Sequence, residues 1–159
     1  MDLLAFFEWC EQTAVGETIR NSTWLFPVIE AFHLLGLGIT GGAVLLVDLR
    51  LLGVGLVRTP AAQLSAAAEP WLLGSVTLMF ASGIPLFLSE AIKCYYSLPF
   101  WVKMTSLFLA LIFTFTVRRY VTRTGLTADR PQLGRLTGIV SLCLWAGVAW
   151  GGRWIAFSG

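Results

Sequence analysis

The stretch WLFPVIEAFHLLGLGITGGAVLLV, Trp24 to Val47, decides the fold. Its 24 residues hold only two ionisable side chains, Glu30 and His33. As a helix rising 1.5 Å per residue it is about 36 Å long, enough to cross the roughly 30 Å hydrocarbon layer of a bilayer. Three further stretches qualify, so the predicted spans are residues 24–47, 71–88, 100–117 and 133–157. Hydrophobic residues make up 57% of the chain, charged residues 13%, and mean hydropathy is +0.77. A soluble domain of 159 residues cannot hide that much apolar surface. The reading is therefore an all-α integral membrane four-helix bundle, a single domain over residues 1–159, with the lipid bilayer as its first partner.

The N-terminal segment carries Asp2, Glu8, Glu11 and Glu17 where a signal peptide would carry basic residues. Leu3, Phe7, Cys10 and Ala14 recur at helical spacing opposite Glu8, Glu11 and Gln12. This predicts a short amphipathic helix lying at the membrane interface. Asn21-Ser22-Thr23 is a capping sequence for the first span. Pro60, Pro99 and Pro131 suit first-turn positions, Pro70 and Pro85 are expected to bend the second span, and Gly125 is expected to stop the third.

Basic residues set the orientation. Arg50, Arg58, Arg118, Arg119, Arg123 and Arg130 fall between spans 1 and 2 or between spans 3 and 4, and Arg135 sits at the start of span 4 on the same side. Arg20, Lys93, Lys103 and Arg153 fall on the other side. The excess predicts cytoplasmic even loops and two periplasmic termini in a bacterial inner membrane. Trp24, Trp101, Trp150 and Trp154 then form an outer aromatic belt and Trp71 an inner one.

His33 is the only histidine. It lies roughly 14 Å below the outer surface by helical rise, one turn from Glu30. Ionisable groups inside a span are costly and usually functional. A histidine at mid-depth with cations nearer the surface is what a b-type haem needs: an axial imidazole, and Lys or Arg for the propionates. Lys103 and Arg153 fill the second role, Gly36 and its neighbours give a flat ring room, and Glu30 or Thr40 can orient the imidazole. The single histidine leaves the sixth position to Met79, Met104, water or a second subunit. The same residues admit plainer readings. His33 can hydrogen-bond a neighbouring helix, and Gly38-xxx-Gly42 and Gly147-xxx-Gly151 can be packing motifs. Lys103 and Arg153 can snorkel to head groups.

Asp48 and Arg50 sit two residues apart and cannot face each other on a helix, so each is expected to pair with another element, such as the basic segment between spans 3 and 4. Cys10 and Cys94 fall on the outer side, where a disulfide is conceivable. No Cys or His metal cluster, nucleophile elbow, P-loop or dinucleotide fingerprint is present, and the arginine-rich loop is explained by topology rather than by nucleic acid.

The run from Trp24-Leu-Phe-Pro to Val47-Asp48-Leu-Arg50-Leu-Leu-Gly53, with Phe100-Trp101-Val-Lys103 and Gly152-Arg153-Trp154-Ile-Ala, resembles a bacterial family of small four-helix membrane proteins of unknown function over nearly the whole chain. More distantly it resembles the HemJ-type protoporphyrinogen oxidases and CopD-like membrane domains. These carry a histidine in the first helix, Arg-Leu near its inner end and a Trp-x-Lys start to the third. That resemblance implies haem b on His33, with Lys103 as the functional lysine and Trp101 beside it. The segment after Arg50-Leu51 is Leu-Gly-Val-Gly rather than Tyr- and His-rich, a departure that bears on porphyrinogen oxidation rather than on haem binding.

Three functions are thus expected of such a chain. The first is a haem b redox protein, with His33 as the iron ligand and electrons passing between quinone and a partner. The second is a non-catalytic membrane subunit or assembly factor, a homo-oligomer or part of a larger complex joined through glycine faces. The third is a small proton or ion transporter lined by Glu30, His33 and Lys103.

Overall fold

The computed structural model describes residues 2–56 and 58–155. The predicted end of the fourth span, Phe157, and the chain end at Gly159 lie outside the described residues. Four helices are long and apolar enough to cross a membrane: α3 (Leu25–Leu52), α4 (Ala61–Ser89), α6 (Leu98–Arg123) and α8 (Pro131–Ile155). Their limits are set by local chemistry. The Ser22 hydroxyl accepts from the Trp24 and Leu25 N–H groups at 3.4 and 3.2 Å, capping α3. Gly53 ends it in a left-handed conformation (φ +79°), with Gly53 N–H on the Arg50 carbonyl and Val54 N–H on that of Leu49. Pro60 precedes α4, Pro99 lies in the first turn of α6 and Pro131 opens α8. Gly125 (φ +70°) separates α6 from the single turn α7 (Leu126–Asp129). The helices outrun the predicted spans at most ends, and α4 continues unbroken through Pro70 and Pro85.

The four helices form an antiparallel bundle in which α3 packs on α4 and α8, and α8 packs on α6. One end carries the α3–α4 and α6–α8 connections and is rich in arginine; the other gathers the N-terminal segment and the α4–α6 connection. The central core is Ala43, Val44, Leu72, Ala110, Trp145 and Val148. Small residues there let the backbones approach closely. The Trp145 indole N–H donates to Thr114 Oγ1 at 3.2 Å and satisfies the one polar atom that ring buries. Between 11% and 33% of each span's most apolar window is buried. The remaining surface, including Leu34, Leu45, Ile84, Phe108 and Ile139, is exposed, as expected where the solvent is hydrocarbon.

The N-terminal segment forms two helices, α1 (Leu3–Glu11) and α2 (Ala14–Asn21), rather than one. Thr13 makes the break: its hydroxyl donates to the Cys10 carbonyl at 2.8 Å and accepts from the Gly16 N–H at 3.2 Å. The apolar face read from the sequence is divided. Phe7 and Cys10 are buried against Phe87, Leu88 and the short helix α5 (Ala91–Tyr96), whereas Leu3, Phe6 and Trp9 stay exposed. Glu11 fastens the hairpin, taking the Ile92 N–H on Oε2 at 2.6 Å and Arg20 on Oε1 at 2.9 Å.

Candidate functional site

His33 points from α3 to α4. Its Nδ1 lies 3.0 Å from Ser82 Oγ, and the Ser82 hydroxyl donates its only proton to the Leu78 carbonyl at 2.7 Å. Donating to Leu78, Ser82 can accept from Nδ1–H, and in that tautomer Nε2 of the neutral ring keeps a free lone pair. Gly83 makes room beneath the ring, since a Cβ there would stand 3.0 Å from His33 Cε1. The imidazole is half-buried, and Ser82 orients it in the manner of an outer-shell partner at a metal site.

Lys103, half-buried on α6, lies within electrostatic range of His33. It makes no ion pair among the described residues. Its stem lies on Gly151 of α8, where a Cβ would meet the Pro99 carbonyl oxygen at 2.7 Å and Lys103 Cβ at 2.8 Å. Gly147 similarly receives Ser106. Gly147-xxx-Gly151 is thus the packing seam between α6 and α8. Gly38, Gly41 and Gly42, in contrast, have nothing within 4 Å of a would-be Cβ.

The other predicted site residues are dispersed. Glu30 is exposed, and the imidazole's partner is Ser82 rather than Glu30 or Thr40. Thr40 donates to Ser75 Oγ at 2.8 Å and lies 3.7 Å from the Met79 sulfur. Gly36 is buried under Met79, whose Cγ would lie 2.9 Å from a Cβ, so that face of α3 is already filled. Trp101 donates its indole N–H to the Tyr95 carbonyl at 3.0 Å and flanks Phe7. Arg153 is exposed near the end of α8, and Met104 is exposed on α6.

Toward the arginine-rich end lies a second polar centre. Asp48 on α3 is fully buried and meets Arg118 of α6, Nε to Oδ1, at 2.9 Å. Arg118 is 4% exposed and donates through Nη2 to the Val44 carbonyl at 3.3 Å. At 2.9 Å the Asp48–Arg118 contact is an ion pair at hydrogen-bonding distance, buried on both sides. Arg118 closes a π-helical turn, Thr114–Arg118. Such turns insert an extra residue into a helix and often mark functional positions.

A family model described as "Family of unknown function (DUF6644)" matches residues 6–158. The chain belongs to that family. No curated protein and no solved structure matches it. The DUF6644 match takes in most of α1 and all of α2 as well as the four long helices, so the N-terminal hairpin falls within the family's unit.

Among the described residues no group of three or more His, Cys, Asp and Glu is placed to hold a metal ion, so the site offers a single imidazole. Cys10 and Cys94 are free thiols in one apolar cluster at the N-terminal end. Burial raises the pKa of Cys10 above its ordinary value. Burial, and then the nearby Glu90 carboxylate, push Cys94 up to about 11. Ser82 and the burial of Arg118 were not singled out by the sequence reading. A lone serine in an apolar helix has no periodic signature, and Arg118 is read with Arg119 and Arg123 as part of a topogenic basic cluster.

Proposed function

We propose that this DUF6644 protein is a b-type haem protein of a bacterial inner membrane, with His33 as the axial ligand, passing electrons between quinone and a partner. The observation that carries the reading is the Ser82–His33 hydrogen bond. It gives Nδ1–H an acceptor within reach, and the tautomer that uses it presents Nε2 for coordination. The donor set fits the group: a neutral imidazole within a span, and the half-buried Lys103 cation without a carboxylate partner to compete for a propionate. When bound, the haem would supply a one-electron couple whose potential follows its axial ligands and burial. Met79 is engaged with Thr40 and Gly36, and Met104 is exposed, so the sixth position falls to water or a second copy.

The test is haem content per chain, measured as the pyridine haemochrome on protein purified from cells supplied with haem precursor. Wild type is expected to carry haem, His33→Ala none and Lys103→Ala an intermediate amount. Equal content in wild type and His33→Ala would overturn the ligand assignment.

A second reading has its own support. The open face at Gly38, Gly41 and Gly42 is shaped for a close helix neighbour, as a non-catalytic subunit or homo-oligomer requires. On that reading the purified chain is haem-free and copurifies as an oligomer that Gly42→Leu dissociates. A transporter lined by Glu30, His33 and Lys103 would instead show flux that Glu30→Gln abolishes.

A further inference from the structure

Helix α1 presents three flanks. The sequence reading puts Leu3, Phe7 and Cys10 on one stripe facing lipid; in the fold Phe7 and Cys10 are buried on the protein, against α5 and the end of α4. A second apolar pair is left over. Phe6 is 44% and Trp9 64% exposed, and their rings lie 6.2 Å apart. At about 100° per residue, Phe6 and Trp9 stand about 100° round the helix from Phe7 and Cys10, and Glu8 and Gln12 fall in the arc that remains. Glu8 and Gln12 are exposed, and Glu8 makes no ion pair among the described residues. One side of α1 thus lies on protein, one is polar, and one is apolar without a partner.

The height of α1 in the fold says what meets that third side. Phe7 packs at 5.4 Å on Phe87, in the last turn of α4, and at 6.3 Å on Phe100, in the first turn of α6. Trp101, 5.9 Å from Phe7, and the exposed Leu98 carry the apolar surface from α1 onto the wall of α6. These are the ends of two spans, where hydrocarbon gives way to head groups and tryptophan is favoured. We propose that the Phe6–Trp9 flank of α1 is a lipid-binding surface seated at this boundary, and that its contact with the bilayer holds α1 down over α5. Charge selects the lipid. Asp2 and Glu8 are exposed and repel anionic head groups, so burial of the two rings drives the contact and a zwitterionic phospholipid suffices. Beneath α1 lies Cys94, 7% exposed and within electrostatic range of Lys103. The lipid contact therefore bears on the candidate site whatever His33 binds.

The full chain in nanodiscs of phosphatidylcholine, part of it carrying a diazirine close to its head group, tests the surface. Photolysis and peptide mass spectrometry should place lipid adducts on Phe6 and Trp9 and none on Glu8 or Gln12. Adducts on both sides alike, or none on α1, would overturn the proposal; the second result is also what a protein partner over this flank would give. Cys94 reads the hold on α1 independently. Its alkylation in the same nanodiscs, followed on its own peptide, should run at least about threefold faster in Trp9→Ser than in wild type, whereas Trp9→Leu should keep the wild-type rate. Among the described residues Trp9 makes ring contact with Phe6 alone, so serine there removes lipid contact rather than core packing. Equal rates in wild type and Trp9→Ser would show that the protein alone holds α1, and would refute the role given to lipid.

Discussion

Asp48→Asn puts the packing account under the sharpest strain. The side chain keeps its shape and loses its charge, so Arg118, 4% exposed, is left as an uncompensated cation. The 2.9 Å contact between Nε and Oδ1 is the only ion pair among the described residues in which both side chains are at most 5% exposed. Among the described residues the Val44 carbonyl at 3.3 Å is the one further hydrogen-bond acceptor of the Arg118 guanidinium. Breaking a buried pair from one side costs about 3–5 kcal/mol, because the other charge remains buried. At about 2–4 °C per kcal/mol for a chain of this size, the midpoint should fall by about 6–20 °C. Replacing both partners, as in Asp48→Leu with Arg118→Met, should recover most of the loss, since a buried pair and an apolar pair of similar volume are often close in stability. The assay is thermal unfolding in detergent, with monodispersity checked by gel filtration. Lys93→Ala serves as the control: its 3.9 Å contact with Glu90 is largely solvated and worth less than about 1 kcal/mol. An Asp48→Asn midpoint within 2 °C of wild type would refute the claim that this pair couples α3 to α6.

Three further outcomes follow from other parts of the fold. Gly151→Ala should destabilise the α6–α8 seam, by about 1–3 kcal/mol, because a Cβ there collides with the Pro99 carbonyl oxygen, whereas Gly42→Ala should be neutral in the monomer; paired unfolding curves decide it. Cys94 should resist maleimide at pH 7–9, since its thiol stays protonated up to about 11, and labelling should rise steeply only as the pH approaches that value. The sign for stability is the same: the unfolded thiol ionises near 9 and the folded one near 11, so this group's contribution is complete below pH 9 and declines between the two. Fast labelling of Cys94 in folded protein at pH 8 would contradict the packing of α5 on α1. Ser82→Ala should lower haem content less than His33→Ala does but shift the redox midpoint, because the ring loses its orienting partner while keeping Nε2; an unchanged midpoint would deny Ser82 that role.

The long helices were legible because the bilayer rule is simple. Runs of roughly twenty apolar residues span, and Pro60, Pro99, Pro131, Gly53 and Gly125 punctuate them as local chemistry requires. The break at Thr13 was not, because its signal is a side-chain hydrogen bond rather than a change of periodicity. Phe7 fits the interfacial pattern whether its neighbour is lipid or α5, and only tertiary packing separates the two. α4 runs on through Pro70 and Pro85, as helices in apolar surroundings can when neighbours satisfy the freed carbonyls. At the candidate site, His33 and Lys103 could be picked out by type and depth. Their partners could not: Ser82 is an ordinary residue whose role depends on which helix lies opposite. Asp48 was expected to pair with another element near the arginine-rich segment, and it does; what the sequence hid was that Arg118 leaves the surface cluster and turns inward at the π turn.

The most direct measurement is a dithionite-reduced minus oxidised absorption spectrum of the purified full-length protein, from cells grown with ample haem precursor. The account predicts a Soret band that shifts on reduction, with sharpened α and β bands, all lost in His33→Ala. A featureless visible spectrum from well-folded protein would contradict it.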